Sequence, residues 1–380
     1  MPSVTSQNQI VDFVRAARAD HAPFEIVAGG TRRAVGRPLD DLPRLDVSGL
    51  SGIRQYQPEE LILTAAPATP LAEIKAVLAT KGQRLGFDPV DWSGVLHTQG
   101  TATLGGAVSC DASGSGRLRH GGARDSLLGF TGVNGLGESF RAGAAVVKNV
   151  TGFDLPKLVC GAYGTLAVLT ELTLRVYPRP PFSVTLCLMD VPPEVGFAAL
   201  RAIALSALEP LGLAYLPGAM MAGVGQGAAL IRLEGAAQPL EEKIAMAQSL
   251  LGSGLHRLPD GDDMFAPIGN GAKFAAISGD IWRVFVARTD APRLVEALGV
   301  TYWLGDLAGG LIWLAARPED APRIRSLAAR YRAQAMLLRA SAPSRAALGL
   351  YGPQDRVLAG LARSVKAAFD PLSLFNPGRL

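Results

Sequence analysis

Hydrophobic and polar positions along the chain alternate with two different periods, which predicts a mixture of helices and strands. Ile10, Phe13, Val14 and Ala17 fall on one face of a helix over residues 6–20, and Ser6 can cap its first turn. The same reasoning predicts further elements in the first half of the chain: strands at 24–28, 45–48, 61–66, 84–87, 127–133, 139–147 and 165–177, and helices at 70–80 and 154–159.

After the proline run at residues 178–181 the pattern changes to a regular alternation of strands and helices. Strands are predicted at 183–189, 228–233, 281–287, 311–315 and 335–339, and helices at 194–208, 240–251, 293–298 and 321–334. Two rounds of strand, helix and strand indicate an antiparallel or mixed sheet with helices on one face, of the ferredoxin-like kind. A last amphipathic helix over 357–369 precedes a turn-rich tail.

We therefore predict an α+β protein with more than one domain. Residues 1–180 form the first domain, residues 181–345 form the ferredoxin-like α/β domain, and residues 346–380 return to the first. A chain of 380 residues is longer than one hydrophobic core usually supports. The 48% hydrophobic and 18% charged content indicates a substantial buried interior.

The charge distribution excludes some classes of partner. The net charge is +4, but the basic residues are scattered and no basic run with interleaved aromatics occurs, so we predict no nucleic-acid binding. Mild steering of an anionic substrate is the alternative to a merely solvated surface. The most apolar region, residues 196–235, is interrupted by charged residues and prolines, so no transmembrane segment is predicted.

The cysteines indicate a reducing compartment. Only Cys110, Cys160 and Cys187 occur, and no C-x-x-C pair is present, so we predict neither a disulfide framework nor a metal site. A cytoplasmic location fits this composition best. Peripheral attachment to the inner membrane through a complex stays open.

Glycine is concentrated in segments that suit a flat or charged ligand. Residues 28–37 read AGGTRRAVGR directly after a predicted strand, which indicates a tight loop with exposed amides. The pattern is not G-x-G-x-x-G, so a Rossmann nicotinamide site is disfavoured, and an ordinary glycine turn is the alternative. Residues 103–180 hold two glycine-dense segments around a predicted hairpin at Asn134-Gly135. The first of them fits neither helix nor strand, so we predict a loop that wraps a ligand.

Four motifs occur in order along the chain: AGGTRRAVGR, TLGGAVSCDASGSGRLRHGGARDSLLG, VVKNVTGFDLPKLVCGAYGTLAVLTE and FDPLSLFNPGRL. Together they resemble the flavoproteins of vanillyl-alcohol oxidase type, and within that family the smaller FAD-binding subunits of glycolate oxidases. The resemblance covers about the first half of the chain and its last dozen residues. It implies a two-subdomain FAD-binding domain followed by the ferredoxin-like domain as a cap.

The resemblance also implies which residues contact FAD. Main-chain amides of the loop 28–36 would donate to the pyrophosphate, and Pro89 and Trp92 would lie near the flavin ring. Residues from Thr103 onward would follow the cofactor, and the segment 164–171 would meet its adenine end. The expected cofactor-binding residues are Ala28, Gly29, Gly30, Thr31, Arg32, Arg33, Gly36, Pro89, Trp92, Thr103, Gly105, Gly106, Ser109, Gly114, Arg124, Asp125, Lys148, Asn149, Gly152, Asp154, Glu171 and Asn376.

We predict that FAD is held without a covalent bond. Many relatives attach the flavin through a His, Cys or Tyr, but Arg32 or Arg33 occupies the corresponding position in the first loop, and neither side chain can form that bond. Cys110 and His120, in the second loop, stay open as alternatives.

The segment that carries substrate chemistry in the larger relatives is altered here. Those relatives have a His-x-Gly-Asp-Gly-Asn-x-His run that helps to hold a divalent metal and the substrate. The nearest segment, WLGDLAGGLIWL at 303–314, keeps Gly305 and Asp306 but has no histidine. Oxidation of a hydroxy acid needs a base for the hydroxyl proton and a cation for the carboxylate. Arg283 and Lys273 could bind a carboxylate, yet no base stands beside them, so the catalytic residues are unknown.

Three hypotheses follow from the contrast between the FAD-binding motifs and the missing histidines of the substrate segment. In the favoured one, the chain is an accessory or electron-relaying FAD subunit of a complex that oxidises glycolate or another small 2-hydroxy acid. Its partners would be a larger FAD-binding, hydroxy-acid-oxidising subunit and an iron–sulfur subunit. The second is an autonomous FAD-dependent 2-hydroxy-acid dehydrogenase, and the third is a structural subunit that has lost FAD. Tyr302, Trp303 and Trp313 are candidate partner contacts if exposed, and core residues otherwise.

Overall fold

Residues 3–144, 152–221, 225–259 and 264–380 are described by the computed structural model. The chain divides into two units, each with its own hydrophobic core. The first unit comprises Met1–Ser113, Gly121–Pro178 and Pro353–Leu380, and the second comprises Gly114–His120 and Arg179–Gly352. The assignment of residues 1–180, 181–345 and 346–380 to functional domains stays a prediction.

The helices and strands have the following bounds. The helices are α1 Gln7–Ala19, α2 Leu71–Ala79, α3 Ser93–Leu96, α4 Leu104–Ser109, α5 Arg117–His120, α6 Ala123–Ser126, α7 Leu155–Val159, α8 Pro193–Ala204, α9 Ala237–Leu251, α10 Phe265–Gly269, α11 Ala291–Leu298, α12 Ala321–Arg330, α13 Ala342–Leu348 and α14 Arg356–Phe369. The strands are β1 Glu25–Val27, β2 Arg44–Asp46, β3 Ile53–Gln57, β4 Ile62–Ala65, β5 Gln83–Arg84, β6 Leu127–Val133, β7 Ser139–Gly143, β8 Val168–Arg175, β9 Tyr177–Pro178, β10 Phe182–Met189, β11 Gly212–Pro217, β12 Gly227–Gly235, β13 Leu255–Arg257, β14 Asp280–Phe285, β15 Trp303–Asp306, β16 Leu311–Ala316 and β17 Gln334–Arg339.

The first unit contains two main sheets with separate cores, and a third, two-stranded sheet pairs β5 with β9. Strands β1 and β2 pair in parallel, and α1 packs its buried Ile10 and Val14 with Phe24 and Phe375 of the same core. The predicted cap of α1 is confirmed, because Ser6 and Gln9 form a reciprocal capping box. The second sheet has the order β3-β4-β8-β6-β7, and every pair in it is antiparallel.

The predicted hairpin at Asn134-Gly135 is also confirmed. Strands β6 and β7 pair antiparallel on either side of it, with Val133 opposite Ser139. The Asn134 side-chain oxygen accepts from the amides of Leu136 and Glu138, each at 3.0 Å. This side chain therefore fixes the turn directly, as short polar residues do in tight turns.

The second unit is built on an eight-stranded sheet with the order β13-β10-β12-β11-β15-β16-β14-β17. All of its pairs are antiparallel, and residues of α8, α9, α11 and α12 share one core with it. This confirms the predicted sheet with packed helices. Strands β11 and β15 were not predicted. Both are buried along their whole length, so they lack the alternation of apolar and polar residues that reveals a half-exposed strand.

The prediction of a continuous loop from Thr103 was wrong, because the segment contains three short helices, α4, α5 and α6. Thr103 caps α4, and its hydroxyl accepts from the amide of Gly106 at 3.3 Å. A Cβ on Gly105 would lie 2.7 Å from the Cβ of Pro67. The glycine therefore lets this helix pack closely against Pro67, and its presence does not indicate irregular backbone.

Several element boundaries and one expectation about exposure also need correction. The strand predicted at 84–87 is only the two-residue β5, the helix predicted at 194–208 ends at Ala204, and the helix predicted at 321–334 ends at Arg330. Trp303 and Trp313 are buried in the second unit, which removes them as candidate partner contacts, whereas Tyr302 is exposed. Among the described residues, no helix is both long enough and apolar enough to cross a membrane.

Candidate functional site

A cleft lies in the first unit. Three stretches of chain form its walls: the loop that follows β1, helix α4 with its flanking residues, and the segment 163–169 that leads into β8. Asn376 and Arg379 of the tail complete the lining. The sequence places glycine or another small residue at most of these positions, so main-chain atoms form much of the surface.

The loop after β1 presents a row of free amides. Within the described residues, the main-chain N–H groups of residues 29–32 donate to no protein acceptor, and all four residues line the cleft. The loop is closed by turns in which Arg33 N donates to Gly30 O and Val35 N donates to Arg32 O. Gly30 has a φ of 79°, which favours glycine. Consecutive free amides in such a turn form a concave anion-binding site that needs no helix dipole.

Gly29 is required for close packing of two backbone segments, and this reason is separate from ligand binding. A Cβ at this position would lie 1.7 Å from the carbonyl oxygen of Thr101. The amide of Thr101 donates to Gly29 O at 2.9 Å, so the two backbone segments run in direct contact. Gly29 therefore holds the cleft loop against a neighbouring segment of the first unit.

The tail joins two walls of the cleft through one side chain. The Asn376 side-chain oxygen accepts from Ile26 N at 2.9 Å, and its amide nitrogen donates to Tyr163 O at 2.9 Å. Phe375 pairs with Phe24 as an isolated parallel bridge beside this contact. The tail therefore fixes the spacing between the β1 loop and the segment at Tyr163.

A buried carboxylate supports the loop from behind. Glu25 is 1% exposed and pairs with Arg33 at 2.7 Å and with Arg379 at 2.8 Å, and Arg44 approaches at 3.5 Å. Arg379 also donates to the carbonyl oxygens of Arg33 and Val35, each at 2.8 Å. The hydrogen bond to Glu25 raises the pKa of the Arg33 guanidinium. This network ties the tail to the loop through charge-assisted hydrogen bonds.

Arg32 lies on the other side of the loop. Its Nη2 donates to Val90 O, and its guanidinium carbon lies 5.4 Å from the centre of the Trp92 ring. Trp92 is fully buried, and Pro89 forms an isolated bridge with Ser113. Burial lowers the pKa of Arg32. The segment 89–92 thus packs behind Arg32, and neither Pro89 nor Trp92 is itself part of the cleft lining.

Half of the predicted cofactor residues lie together at the cleft. Those that line it are Ala28, Gly29, Gly30, Thr31, Arg32, Arg33, Thr103, Gly105, Gly106, Ser109 and Asn376. Outside the lining are Gly36, Pro89, Trp92, Arg124, Asp125, Gly152, Asp154 and Glu171. Gly114 belongs to the second unit, and Lys148 and Asn149 lie outside the described residues. That any of these residues binds FAD stays a prediction.

Several predicted residues away from the cleft have local structural contacts. The Asp125 carboxylate accepts from Gly122 N at 2.8 Å at the start of α6, and Asp154 caps α7 and pairs with Lys157 at 3.0 Å. Glu171 lies on β8 opposite Thr131 of β6. A Cβ on Gly36 would lie 2.6 Å from Arg379 O, so that glycine permits the tail to approach.

Several residues of the cleft were not predicted from the sequence. Glu25, Tyr163 and Arg379 line it, and so does Cys110, which had been considered only as an alternative position for flavin attachment. Arg379 lies in the quoted motif FNPGRL, three positions after Asn376, so its place in the motif was the available signal. An acidic residue inside a three-residue strand gives no comparable signal for Glu25, because its buried partner Arg379 is 354 positions away.

In the second unit, the side chains considered for substrate chemistry either contact other residues or lie apart from one another. The Ser115 hydroxyl donates to both carboxylate oxygens of Asp306 at 3.0 Å, and Leu307 N donates to the same carboxylate at 2.7 Å. Arg283 is buried, with its guanidinium carbon 4.8 Å from the Trp313 ring centre. His256 is exposed on β13. In the part of the chain that the structure describes, no group of three His, Cys, Asp or Glu side chains could hold a metal ion.

Comparison with known proteins defines the class. A family model described as an FAD binding domain matches residues 3–143, the part of the chain that holds the β1 loop and α4. The chain aligns over 99% of its length with the solved structure of 4-ethylphenol oxidase from Gulosibacter chungangensis, covering 88% of that chain. The TM-score is 0.71 at 13% identity. The chain is thus an FAD-binding flavoprotein, and the predicted α+β fold with an FAD domain of vanillyl-alcohol oxidase type and a ferredoxin-like cap is confirmed.

The sequence comparison identifies the family within that class. The chain is 31% identical over 380 residues to the glycolate oxidase subunit GlcE of Escherichia coli (strain K12), covering 98% of this chain and 96% of that relative. It belongs to the family of this subunit, which confirms the resemblance drawn from the four motifs. A shorter match, 29% over 137 residues, relates it to the glycolate oxidase subunit GlcD of Bacillus subtilis (strain 168), covering 36% of this chain and 28% of that subunit.

Proposed function

We propose that this chain is the smaller FAD-binding subunit of a complex that oxidises glycolate or a similar 2-hydroxy acid. The observation that carries the proposal is an anion-binding cleft in the first unit, combined with a second unit in which Asp306 and Arg283 already have other contacts. Its similarity over nearly its whole length to a glycolate oxidase subunit supports the same assignment.

The cleft residues fit the diphosphate of FAD. The free amides of residues 29–32 would donate to its oxygens, and their position in a turn offers several donors to one anion. Asn376 and Arg379 would keep this loop at a fixed distance from the segment at Tyr163. When bound, FAD supplies two-electron and one-electron redox chemistry that no side chain can supply. We propose that it is held without a covalent bond.

The cap supports an accessory or electron-relaying role. A hydroxy-acid oxidase needs a group that removes the hydroxyl proton within hydrogen-bond reach of the substrate. Asp306 already accepts hydrogen bonds from Ser115 and Leu307, and the guanidinium of Arg283 is packed against Trp313. Oxidation of the acid would therefore take place in a larger flavoprotein subunit, with an iron–sulfur subunit as a further partner. We place this complex in the cytoplasm or at the inner membrane surface, held there through its partners.

The test is an anaerobic reduction of the purified chain. We expect a yellow protein whose flavin absorbance does not change when glycolate or D-lactate is added. Dithionite then serves as the control, because bleaching by dithionite proves that the bound flavin can be reduced. Bleaching by either hydroxy acid would refute the accessory role and favour an autonomous dehydrogenase. A colourless chain that takes up no added FAD would refute both roles and leave the structural subunit.

Co-expression addresses the partners. The chain is produced with a larger flavoprotein of the GlcD type and with an iron–sulfur protein encoded in the same genome, and only this chain carries an affinity tag. We expect both partners to co-purify and the complex to bleach with glycolate. Isolation of the tagged chain alone, at equal expression of all three, would contradict the proposed assembly.

A further inference from the structure

Of the three arginines that line the cleft, Arg32 differs from the other two in its pairing. Arg33 and Arg379 both share the carboxylate of Glu25. The Nε and Nη1 atoms of Arg32 are buried and, within the described residues, meet no hydrogen-bond acceptor. No carboxylate of that part of the chain forms an ion pair with it. Arg32 is therefore a half-buried cation, and the Asp91 carboxylate acts on it only from a distance.

The surroundings of Arg32 point toward the cleft. Its Nη1 lies 3.2 Å from the place where a Cβ on Gly106 would be, so the guanidinium lies close against this cleft-lining residue of α4. The titratable groups around it are Cys110, Asp91 and Tyr163. Burial raises the pKa of the Cys110 thiol, which keeps it neutral, and the Asp91 carboxylate accepts from Ser93 N.

The protein alone does not offset the cost of burying this charge. Taking a guanidinium out of water is unfavourable unless a counter-ion or several hydrogen bonds replace the lost solvation. Arg32 has one hydrogen bond, to Val90 O, and a contact with the face of Trp92. A cation over an aromatic ring recovers only part of the loss. An anion in the cleft would supply the missing compensation.

We propose that the Arg32 side chain is the counter-charge for the diphosphate of FAD, and that it costs the FAD-free protein stability until the cofactor binds. The diphosphate is the favoured anion because Arg32 belongs to the same loop as the free amides of residues 29–32. The anionic reduced flavin ring is the other possible source of the same chemistry. The proposal rests on the FAD binding argued above.

The test measures FAD affinity and apoprotein stability separately. Fluorescence titration gives the dissociation constant of FAD, and thermal unfolding of the FAD-free protein gives its Tm. For Arg32→Met we expect the dissociation constant to rise about 30-fold, as for loss of a charge-assisted hydrogen bond. The Tm of the apoprotein should stay equal or rise, because the uncompensated charge is gone. Arg32→Lys keeps the positive charge but lacks the planar guanidinium group. Its affinity for FAD should therefore fall less than that of Arg32→Met.

Arg54→Met is the matched control. It removes the same single charge from the same unit, but Arg54 is exposed on β3 and lies outside the cleft lining. Its FAD affinity should stay within about twofold of the wild type, since an exposed charge away from the ligand contributes little. A fall in apoprotein Tm for Arg32→Met with unchanged FAD affinity would overturn the proposal and assign Arg32 a packing role against Trp92.

Two fragments of the cofactor distinguish the sources of the anion. ADP carries the diphosphate without the flavin ring, and riboflavin carries the ring without a phosphate. We expect Arg32→Met to weaken competition by ADP as much as it weakens FAD, and to leave riboflavin unaffected. The reverse pattern would overturn the diphosphate assignment. A wild-type chain that does not bind FAD would refute the proposed function itself, whereas equal binding by wild type and Arg32→Met would refute only this inference.

Discussion

Replacing Glu25 by glutamine tests whether the buried carboxylate holds the cleft together. Glu25 is 1% exposed, and its partner Arg379 is 7% exposed, so this ion pair is shielded from water. Glutamine keeps the shape and one acceptor oxygen but removes the charge. Arg379 would then be a buried cation that still donates to the carbonyls of Arg33 and Val35 but has lost its carboxylate.

The expected loss of stability follows from this burial. Removing one partner of a buried ion pair typically costs about 3–5 kcal/mol, because the other charge is left uncompensated. We expect the lower end, about 3 kcal/mol, since the amide oxygen introduced by Glu25→Gln can still accept one hydrogen bond from Arg33 or Arg379. For a unit of this size, that corresponds to a fall in Tm of roughly 6–12 °C.

The matched control is Asp40→Asn. Asp40 also pairs with Arg33, at 3.1 Å, but its side chain is 67% exposed and Arg33 is 30% exposed. An exposed pair contributes at most about 1 kcal/mol, so this variant should unfold nearly like the wild type. Chemical denaturation of both variants, with and without FAD, measures the difference. Equal stability of Glu25→Gln and Asp40→Asn would refute the claim that this network supports the loop.

Three further predictions use the same unfolding and FAD-binding assays. Gly29→Ala should prevent folding or FAD binding, because its Cβ would overlap Thr101 O, whereas Gly94→Ala, with no atom within 4 Å of its Cβ, should behave like the wild type. Asn376→Ala should raise the FAD dissociation constant roughly tenfold through loss of two hydrogen bonds; unchanged affinity would contradict this. Burial raises the pKa of the Cys187 thiol from 9.0 to about 11, so the unfolded chain loses this proton at lower pH. The free energy of unfolding should therefore fall by roughly 2 kcal/mol between pH 9 and pH 11, and a Cys187→Ala variant should lack that part of the slope.

Local signals in the sequence were sufficient where one short segment determines its own conformation. The cap at Ser6 and the turn at Asn134 depend on residues within four positions of each other, and both were predicted. The glycine loop after β1 was identified for the same reason. Strands β11 and β15 were missed because burial on both faces removes the alternating pattern on which strand prediction relies.

The support of the cleft could not be predicted because it depends on residues far apart in the chain. Glu25 and Arg379 are separated by 354 positions, and Asn376 and Tyr163 by 213. Nothing near Glu25 in the sequence distinguishes a buried carboxylate from an exposed one. The helix α4 was missed for the opposite reason, since glycines that permit close packing resemble glycines that permit irregular backbone.

The docking of the tail has a consequence for the biosynthesis of the protein. The loop of free amides emerges from the ribosome early, but its spacing from Tyr163 and its carbonyl contacts depend on Asn376 and Arg379. The cleft cannot be complete until those residues have been translated and have left the exit tunnel. Nascent chains that end before Asn376 and Arg379 should therefore not retain the flavin.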